Sequence, residues 1–454
     1  MEEPHKKNKT IFTGKALAAL VIPLVLEQML GITVGMADSI MVSSAGEAAV
    51  SGVSLVDSIA ILLINAFASL STGGAVVAAH RLGEKKEEEA VKCANQLLLL
   101  VTGIAVIIMA FAVLSNRWLL KAIFGSVEDE VMKNAVAYFY ITAVSYPFLG
   151  IYNASAALSR AMGDSRTTMK ISIWMNVLNI VGNAVLILGF HAGVYGVAFS
   201  TLISRMFGAF FLFRIMSRPD RQLHYGRPIF RPLKWNVIKK ILEIGVPTGM
   251  DNCIFQIGKI LVQSLIAGLG TTAIAANAIA GVVAGVAVIP ASAMGIAMIT
   301  VVGQALGADE KEQAKAYIKK LMGYAYLFMV ILNSAIIWLA PQIAGLYQVS
   351  EDVLLLAGKV IIFHSVCAML FWPTGFALPN ALRAAMDANF TMWVSIGCMW
   401  VFRIGCSYLF VRGFQMGLMG IWAAMAVDWV VRSFFFIWRV KSGKWLKKGI
   451  EGKI

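Results

Sequence analysis

The sequence predicts an all-α integral membrane protein whose twelve transmembrane helices form two parallel six-helix repeats. Three observations carry that reading. The chain is 59% hydrophobic and only 14% charged over 454 residues, it holds twelve apolar stretches long enough to cross a bilayer, and its second half repeats the punctuation of its first. Soluble domains run at about 25% charged, and a soluble fold of this makeup would show water large apolar patches. With a mean hydropathy of +0.76, the solvent that suits the chain is lipid.

Crossing about 30 Å of hydrocarbon takes roughly 20 helical residues. Such stretches run near 16–41, 54–79, 91–114, 134–158, 170–190, 194–216, 237–268, 273–304, 321–340, 354–382, 392–411 and 417–438. Several are longer than a straight crossing needs, which predicts tilt. Lys and Arg gather at the two termini and in the even-numbered gaps and are sparse in the odd-numbered ones. That asymmetry predicts a multi-pass protein of the cell membrane with both termini in the cytoplasm. The largest basic cluster, Arg214 to Lys240, contains Pro219, Pro228 and Pro232 and reads as a linker between halves. The expected organisation is a tail over 1–15, a first lobe over 16–216, a linker over 217–236, a second lobe over 237–440 and a basic tail over 441–454.

Several function classes drop out. The net charge of +14 is spread over loops, with no basic stripe interleaved with stacking aromatics, so nucleic acid is not an expected partner. Cys93, Cys253, Cys367, Cys398 and Cys406 are scattered singly through apolar runs and read as buried reduced thiols, without a metal site or disulfide framework. The apolar run after the basic N-terminus is too long for a cleaved signal peptide. No G-x-x-x-x-G-K-[ST] loop occurs, so ATP is not the direct driver. With five His in the chain and no cluster of His, Cys, Asp or Glu at membrane depth, an enzyme is not expected, nor any cofactor.

The halves superpose at a shift of 224 residues. Pro23 falls on Pro247, Gly46 on Gly270, Ala49 on Ala273, Leu82-Gly83 on Leu306-Gly307, Ala90 on Ala314, and Gly193 and Gly196 on Gly417 and Gly420. At a shift of 223, Arg160, Asp164 and Met169 fall on Arg383, Asp387 and Met392. Chance aligns apolar helices but rarely loop punctuation over such a span. Six helices per half is an even number, so both halves enter the membrane the same way, as repeats about an axis along its normal. Substrate then belongs in the cleft between halves, reached from alternate sides.

The residues at these shared positions resemble the multidrug and toxic compound extrusion (MATE) family. Pro23 through Met36-Ala37-Asp38-Ser39-Ile40-Met41-Val42, with Gly46 and Ala48-Ala49, is similar to that family's opening signature. Arg160-Ala161-Met162-Gly163-Asp164-Ser165-Arg166 resembles its Arg-Gly-x-Gly-Asp-x-Arg loop after helix four, and Arg383-Ala384-Ala385-Met386-Asp387 is a weaker copy after helix ten. The resemblance covers about 11–440 and implies two lobes in a V and antiport of amphipathic, often cationic, small molecules against protons or sodium. A major facilitator protein would carry a different motif in the loop after helix two, which here reads His80-Arg81-Leu82-Gly83-Glu84. The sodium-type branch places acids in helices seven and ten. Helix ten has none over 353–386 and helix seven has Asp251 without a Glu at the matching place, so the resemblance leans to the DinF-like branch and against the NorM-like one. A monomer is expected. A lipid-linked saccharide flippase of the wider superfamily is the alternative, kept open by Arg205, Lys259 and Arg403.

An ionisable side chain at membrane depth costs roughly 2.5–3.5 kcal/mol by insertion scales, so each is a candidate site. The resemblance makes Asp38 the foremost ion-coupling residue; hydropathy alone would allow an interfacial carboxylate. Glu27 lies eleven residues earlier, about 20° round the same helix, and repeats as Asp251 in helix seven. The two either line one cleft and attract a cation or hold neighbouring helices together. Asn176, Asn179 and Asn183 share one face of helix five, as cavity lining or as interhelical glue; Gln256 and Asn380 are further lining candidates. Asp428 and Arg432, four apart on helix twelve, read as a buried pair, and His364 as a packed histidine. Pro290 in helix eight and Pro373 and Pro379 in helix ten predict bends, those of helix ten being candidates for gating.

Overall fold

The structure, a computed structural model, describes residues 10–125, 127–226, 232–345 and 349–451. Residues 1–9 of the expected tail, 227–231 of the linker with Pro228, and 452–454 of the basic tail lie outside the described residues. Twelve helical segments follow one another: α1 Gly14–Ser43, α2 Glu47–Gly83, α3 Glu87–Leu114, α4 as Asp129–Val144 plus Tyr146–Ala161, α5 Ser165–Gly189, α6 Gly193–Met216, α7 Trp235–Ala267, α8 as Thr271–Ala287 plus Ile289–Gly307, α9 Lys311–Gly345, α10 Glu351–Ala384, α11 Ala388–Gly413 and α12 Gly417–Lys441. Short helices Asn116–Phe124 and Lys444–Glu451 flank them. By length and composition ten of these cross a bilayer unaided, and the bent pair in α4 makes eleven. The segment α7 carries Lys239, Lys240, Glu243, Asp251 and Lys259, which is why the apolar count falls short of twelve; the broken α8 still contributes Ile289–Gly307.

Two helices expected to be continuous are broken. In α4 the axis bends by 47° at Ser145, just ahead of Pro147, which sits in the first turn of the second piece where a missing N–H costs nothing. In α8 the break is at Val288, so Pro290 opens a second helix rather than kinking the interior of one. Helix ten runs on as one span over Glu351–Ala384: Pro373 starts a π-helical turn over Pro373–Ala377, in which the Leu378 N–H reaches back to the Pro373 carbonyl. Pro379 lies in the first turn of the piece that follows.

The buried apolar residues form two main clusters, one per half, and the clusters exchange helix ends. Leu17, Leu20, Val21 and Leu24 of α1 are buried among residues of 266–445. Ile241 and Ile244 of α7 are buried among residues of the first half. The halves also meet backbone to backbone where α2 packs on α7 and α8. A Cβ on Gly73 would lie 2.4 Å from the Ile241 carbonyl oxygen, and Cβ atoms on Gly83 and on its repeat Gly307 would each lie 2.1 Å from an oxygen across the seam. Such approaches require glycine. Two hydrogen bonds related by the repeat close the same seam. His80 Nε2 donates to the Ala384 carbonyl at 2.7 Å, and Gln304, its equivalent at the 224 shift, donates to the Ala161 carbonyl at 2.7 Å. Further along the helices, Gly31 of α1 and Gly281 of α8 have no atom within 4 Å of where a Cβ would be, while a Cβ on Gly285 would lie 3.8 Å from Ile32 of α1. The closest backbone approaches between the lobes thus lie at the end bearing the described termini.

The loop motif is built to hold this end. Gly163 has φ +86°, which glycine adopts without strain. Asp164 then caps α5, accepting from the Thr167 N–H at 3.1 Å and its hydroxyl at 2.6 Å, and pairs with Arg221. Burial pushes the Asp164 carboxyl up, but these donors outweigh it and hold it below the usual carboxylate range. In the weaker copy Met386 occupies the same left-handed conformation at φ +59°, and Asp387 pairs with Arg439 at 2.7 Å.

Candidate functional site

Two cavities enter the halves. The first, of about 320 Å³, lies inside the first lobe between α1, α2, α4, α5 and α6 and is lined by Asp38, Asp57, Tyr138, Asn176, Asn179 and Arg205 among others. The face of α5 predicted from Asn spacing delivers its amides here. Asn183 Nδ2 donates to Asp38 Oδ1 at 2.8 Å. The Asn179 amide, turned so that both its atoms are satisfied, donates to the two Asp38 oxygens at 2.8 and 3.2 Å. Asn176 lines the cavity without joining this cluster. Asn183 does not line it: its side chain is fully buried behind Asp38, so it supports the carboxylate rather than the cavity wall.

Asp38 differs from Glu27, Asp251 and Asp428 in its company. Glu27 is 3.3 Å from Arg160 and accepts from Thr168. Asp251 is 2.6 Å from Arg383. These are one pair seen twice, because Glu27 repeats as Asp251 and Arg160 as Arg383. In each lobe the loop-motif arginine reaches back to the acid on the lobe's first helix, the interhelical alternative that the sequence left open. Asp428 is shared by Arg432 at 2.7 Å and Arg403 at 3.6 Å. No Lys or Arg among the described residues comes within 4 Å of Asp38, which neutral amides alone hold.

Sequence reasoning passed over Asp57. It accepts from the Tyr138 hydroxyl at 3.1 Å, while Arg205, in the same cavity, donates to Ser145 Oγ at 2.7 Å. The available signal was an acid four residues into the apolar run beginning at 54.

The second cavity, of about 720 Å³, lies in the cleft and extends into the second lobe. One stripe of α7 (Asp251, Phe255, Lys259, Val262) faces it; Gln256 falls one step off this stripe and does not line it, contrary to expectation. Asn380 lines it and accepts from Arg383 Nη1 at 3.0 Å. Pro379 of α10 lines it too, whereas Pro290 does not. His364 packs edge-on against Trp422 and Trp429, each 5.4 Å between ring centres, the packed histidine expected. No group of three or more His, Cys, Asp or Glu able to hold a metal ion occurs among the described residues, and all five cysteines are free.

Comparison with known proteins fits this geometry. A probable multidrug resistance protein NorM of Thermotoga maritima is 28% identical over 441 residues, spanning 96% of this chain and 94% of that protein. An uncharacterized transporter YisQ of Bacillus subtilis is 25% identical over 454 residues, spanning 99% and 98%. A solved outward-facing multidrug resistance MATE transporter superposes with a TM-score of 0.89 at 22% identity, over 96% of each chain. A MATE protein solved in complex with MaL6 also gives 0.89 at 22%, over 96% of this chain and 97% of that one. The MatE family model matches twice, over 23–185 and 247–409, so that the two matches start 224 residues apart. Relatives named NorM recur among these proteins. A multi-span membrane transporter rather than an enzyme, the chain belongs to the MatE (MATE) family of multidrug efflux transporters.

Proposed function

We propose that this chain is a secondary active exporter of amphipathic small molecules, which it exchanges for protons by alternating access in the cell membrane, as a monomer with both termini cytoplasmic. The observation that carries the reading is the company of Asp38. A carboxylate locked to arginine is stable in one state, whereas a carboxylate served by amides in a hydrated cavity can gain and lose a cation as the cavity opens to either side. Amide N–H groups directed at both Asp38 oxygens favour the ionised form without supplying a counter-charge, and a proton replaces them with little rearrangement. Sodium would need several oxygens turned inward, and here the amides present hydrogens. The missing carboxylates of helix ten point the same way, towards the DinF-like branch, although several relatives carry the NorM name.

Alternating access follows from the seam. Closure between α2, α7 and α8 at the terminus end lets the cleft open at the other; reversing it requires those contacts to part. The expectation of often cationic cargo came with the family resemblance, and Glu27 and Asp251 offered it a local basis; since both are paired with arginine, we take the charge of the cargo from the cavity itself. The test is dye efflux from inverted vesicles energised separately by a pH or a sodium gradient. Wild type should respond to the pH gradient and Asp38→Asn to neither, at equal expression. Export surviving in Asp38→Asn would remove Asp38 from the mechanism, and a response to sodium alone would replace the proton.

A further inference from the structure

The two cavities differ in charge. The first-lobe cavity is lined by two carboxylates, Asp38 and Asp57, against one cation, Arg205. The cleft cavity is lined by four cations, Lys259, Arg383, Arg403 and Arg432, against one carboxylate, Asp251. Behind its wall Asp428 adds a second carboxylate, but Arg432 and Arg403 share it. Pairing Arg383 with Asp251 and Arg432 with Asp428 leaves Arg403 half-served and Lys259 with no carboxylate within 4 Å among the described residues.

Lys259 is exposed to the cavity, and Arg403 lines the same cavity. Two cations brought together in a partly dry space are costly unless an anion joins them. A buried donor also goes unused there, since Arg383 Nε has no acceptor. Around these groups stand aromatic walls. Arg403 lies over the Phe255 ring at 5.3 Å and Arg432 over Phe376 at 5.0 Å, while Trp372 stacks on Phe376 with ring centres 5.2 Å apart. Cation–π contact of this kind occupies a cation's face without cancelling its charge.

We propose that the cleft cavity binds an amphipathic anion, an aromatic body carrying a carboxylate, sulfonate or phosphate, with Lys259 and Arg403 receiving the acidic group. The volume suits the ligand, because pockets of about 300–1,000 Å³ enclose molecules of drug size. Guanidinium and ammonium donors supply charge-assisted hydrogen bonds to the acid, and Trp372 and Phe376 receive the ring. The acidic first-lobe cavity is left for the coupling cation, so the two ligands need not compete for one carboxylate. This deepens the export reading and rests on it for the cargo's route to the cavity.

The test is equilibrium binding of two isosteres, 2-naphthalenesulfonate and 2-naphthylmethylammonium, to the full chain in phosphatidylcholine nanodiscs with no gradient. The sulfonate should bind wild type at least tenfold more tightly than the ammonium. Lys259→Gln should weaken the sulfonate by about tenfold, the size of one charge-assisted hydrogen bond, Lys259→Arg should restore it, and Lys259→Glu should reverse the preference. Equal binding of the isosteres to wild type, or sulfonate binding indifferent to all three substitutions, overturns the proposal. Repeating the titration in phosphatidylglycerol nanodiscs separates a free ligand from a lipid headgroup: sulfonate binding abolished by bilayer lipid would hand the cavity to the headgroup and overturn the assignment to a small molecule. Because no gradient is used, failure here leaves the efflux of dyes by wild type untouched. Sulfonate binding together with absent efflux would instead sink the transport reading alone.

Discussion

Adding one methyl group at the seam tests whether it is the gate. A Cβ on Gly83 would lie 2.1 Å from the Gln304 oxygen and one on Gly307 2.1 Å from the His80 oxygen, where real Cβ contacts essentially never fall below 3.0 Å. Relief therefore demands a displacement of about 0.9 Å (3.0 less 2.1) from backbone atoms in two packed helices, which no rotamer change can supply. Overpacking of this kind costs roughly 1–3 kcal/mol, and the whole cost falls on the conformer in which the seam is closed. A tenfold change needs about 1.4 kcal/mol, so Gly83→Ala and Gly307→Ala should each move the closed-to-open ratio roughly five- to 150-fold. Spin labels at Glu88 and Glu312, both exposed beside the seam, report the change as a longer component in pulsed dipolar distance measurements. Gly31→Ala, where nothing lies within 4 Å, should leave the distances alone. Distance distributions identical to wild type in both seam variants, with export at the wild-type rate, would refute the idea that this contact gates the cleft.

Two further outcomes follow from the pairs. Arg383→Met strands Asp251 and should destabilise the purified protein by about 3–5 kcal/mol, while Arg383→Met with Asp251→Asn should recover most of it; thermal unfolding of the four members of the cycle measures the coupling. His80→Gln places at one side of the seam the residue that the repeat already uses at the other, and should keep export and thermal stability near wild type. His80→Phe leaves the Ala384 carbonyl without its donor and should cost roughly 1–3 kcal/mol, read by the same unfolding assay.

Much of the architecture was legible because lipid imposes length and repetition imposes register. The apolar runs gave twelve segments, and the matched punctuation gave the 224-residue offset that the family model reproduces. The Asn spacing on α5 placed Asn179 and Asn183 on the face that meets Asp38. What escaped depended on contacts across long stretches of chain. Glu27 and Arg160 are 133 residues apart, and each was read by itself; that both recur at nearly the same offset, as Asp251 and Arg383, was the unused hint that they form a pair. Asp57 escaped because its partner Tyr138 is 81 residues away. Pro147 marked the break in α4 but was not weighed, and the π-helical turn at Pro373 leaves no distinct pattern, since proline bends a helix in several ways. Gln256 was misplaced by one step of about 100°, an error within the tolerance of any reading that lacks a neighbour to fix the helix's rotation.

The exchange of helix ends between the two cores bears on how the protein can be taken apart. With α1 rooted through Leu17, Leu20 and Leu24 among residues of the other half, and α7 rooted through Ile241 and Ile244 in return, neither set of six helices is complete alone. Each would offer an apolar stub to lipid, leucine-faced on α1 and isoleucine-faced on α7, and leave a slot where its sibling's stub belongs. Severing the connection after α6 should still yield an assembled transporter when both fragments are made together, whereas either fragment by itself has an unmet surface and every reason to seek a second copy. In physical terms the single chain is an interlocked dimer whose subunits happen to be joined.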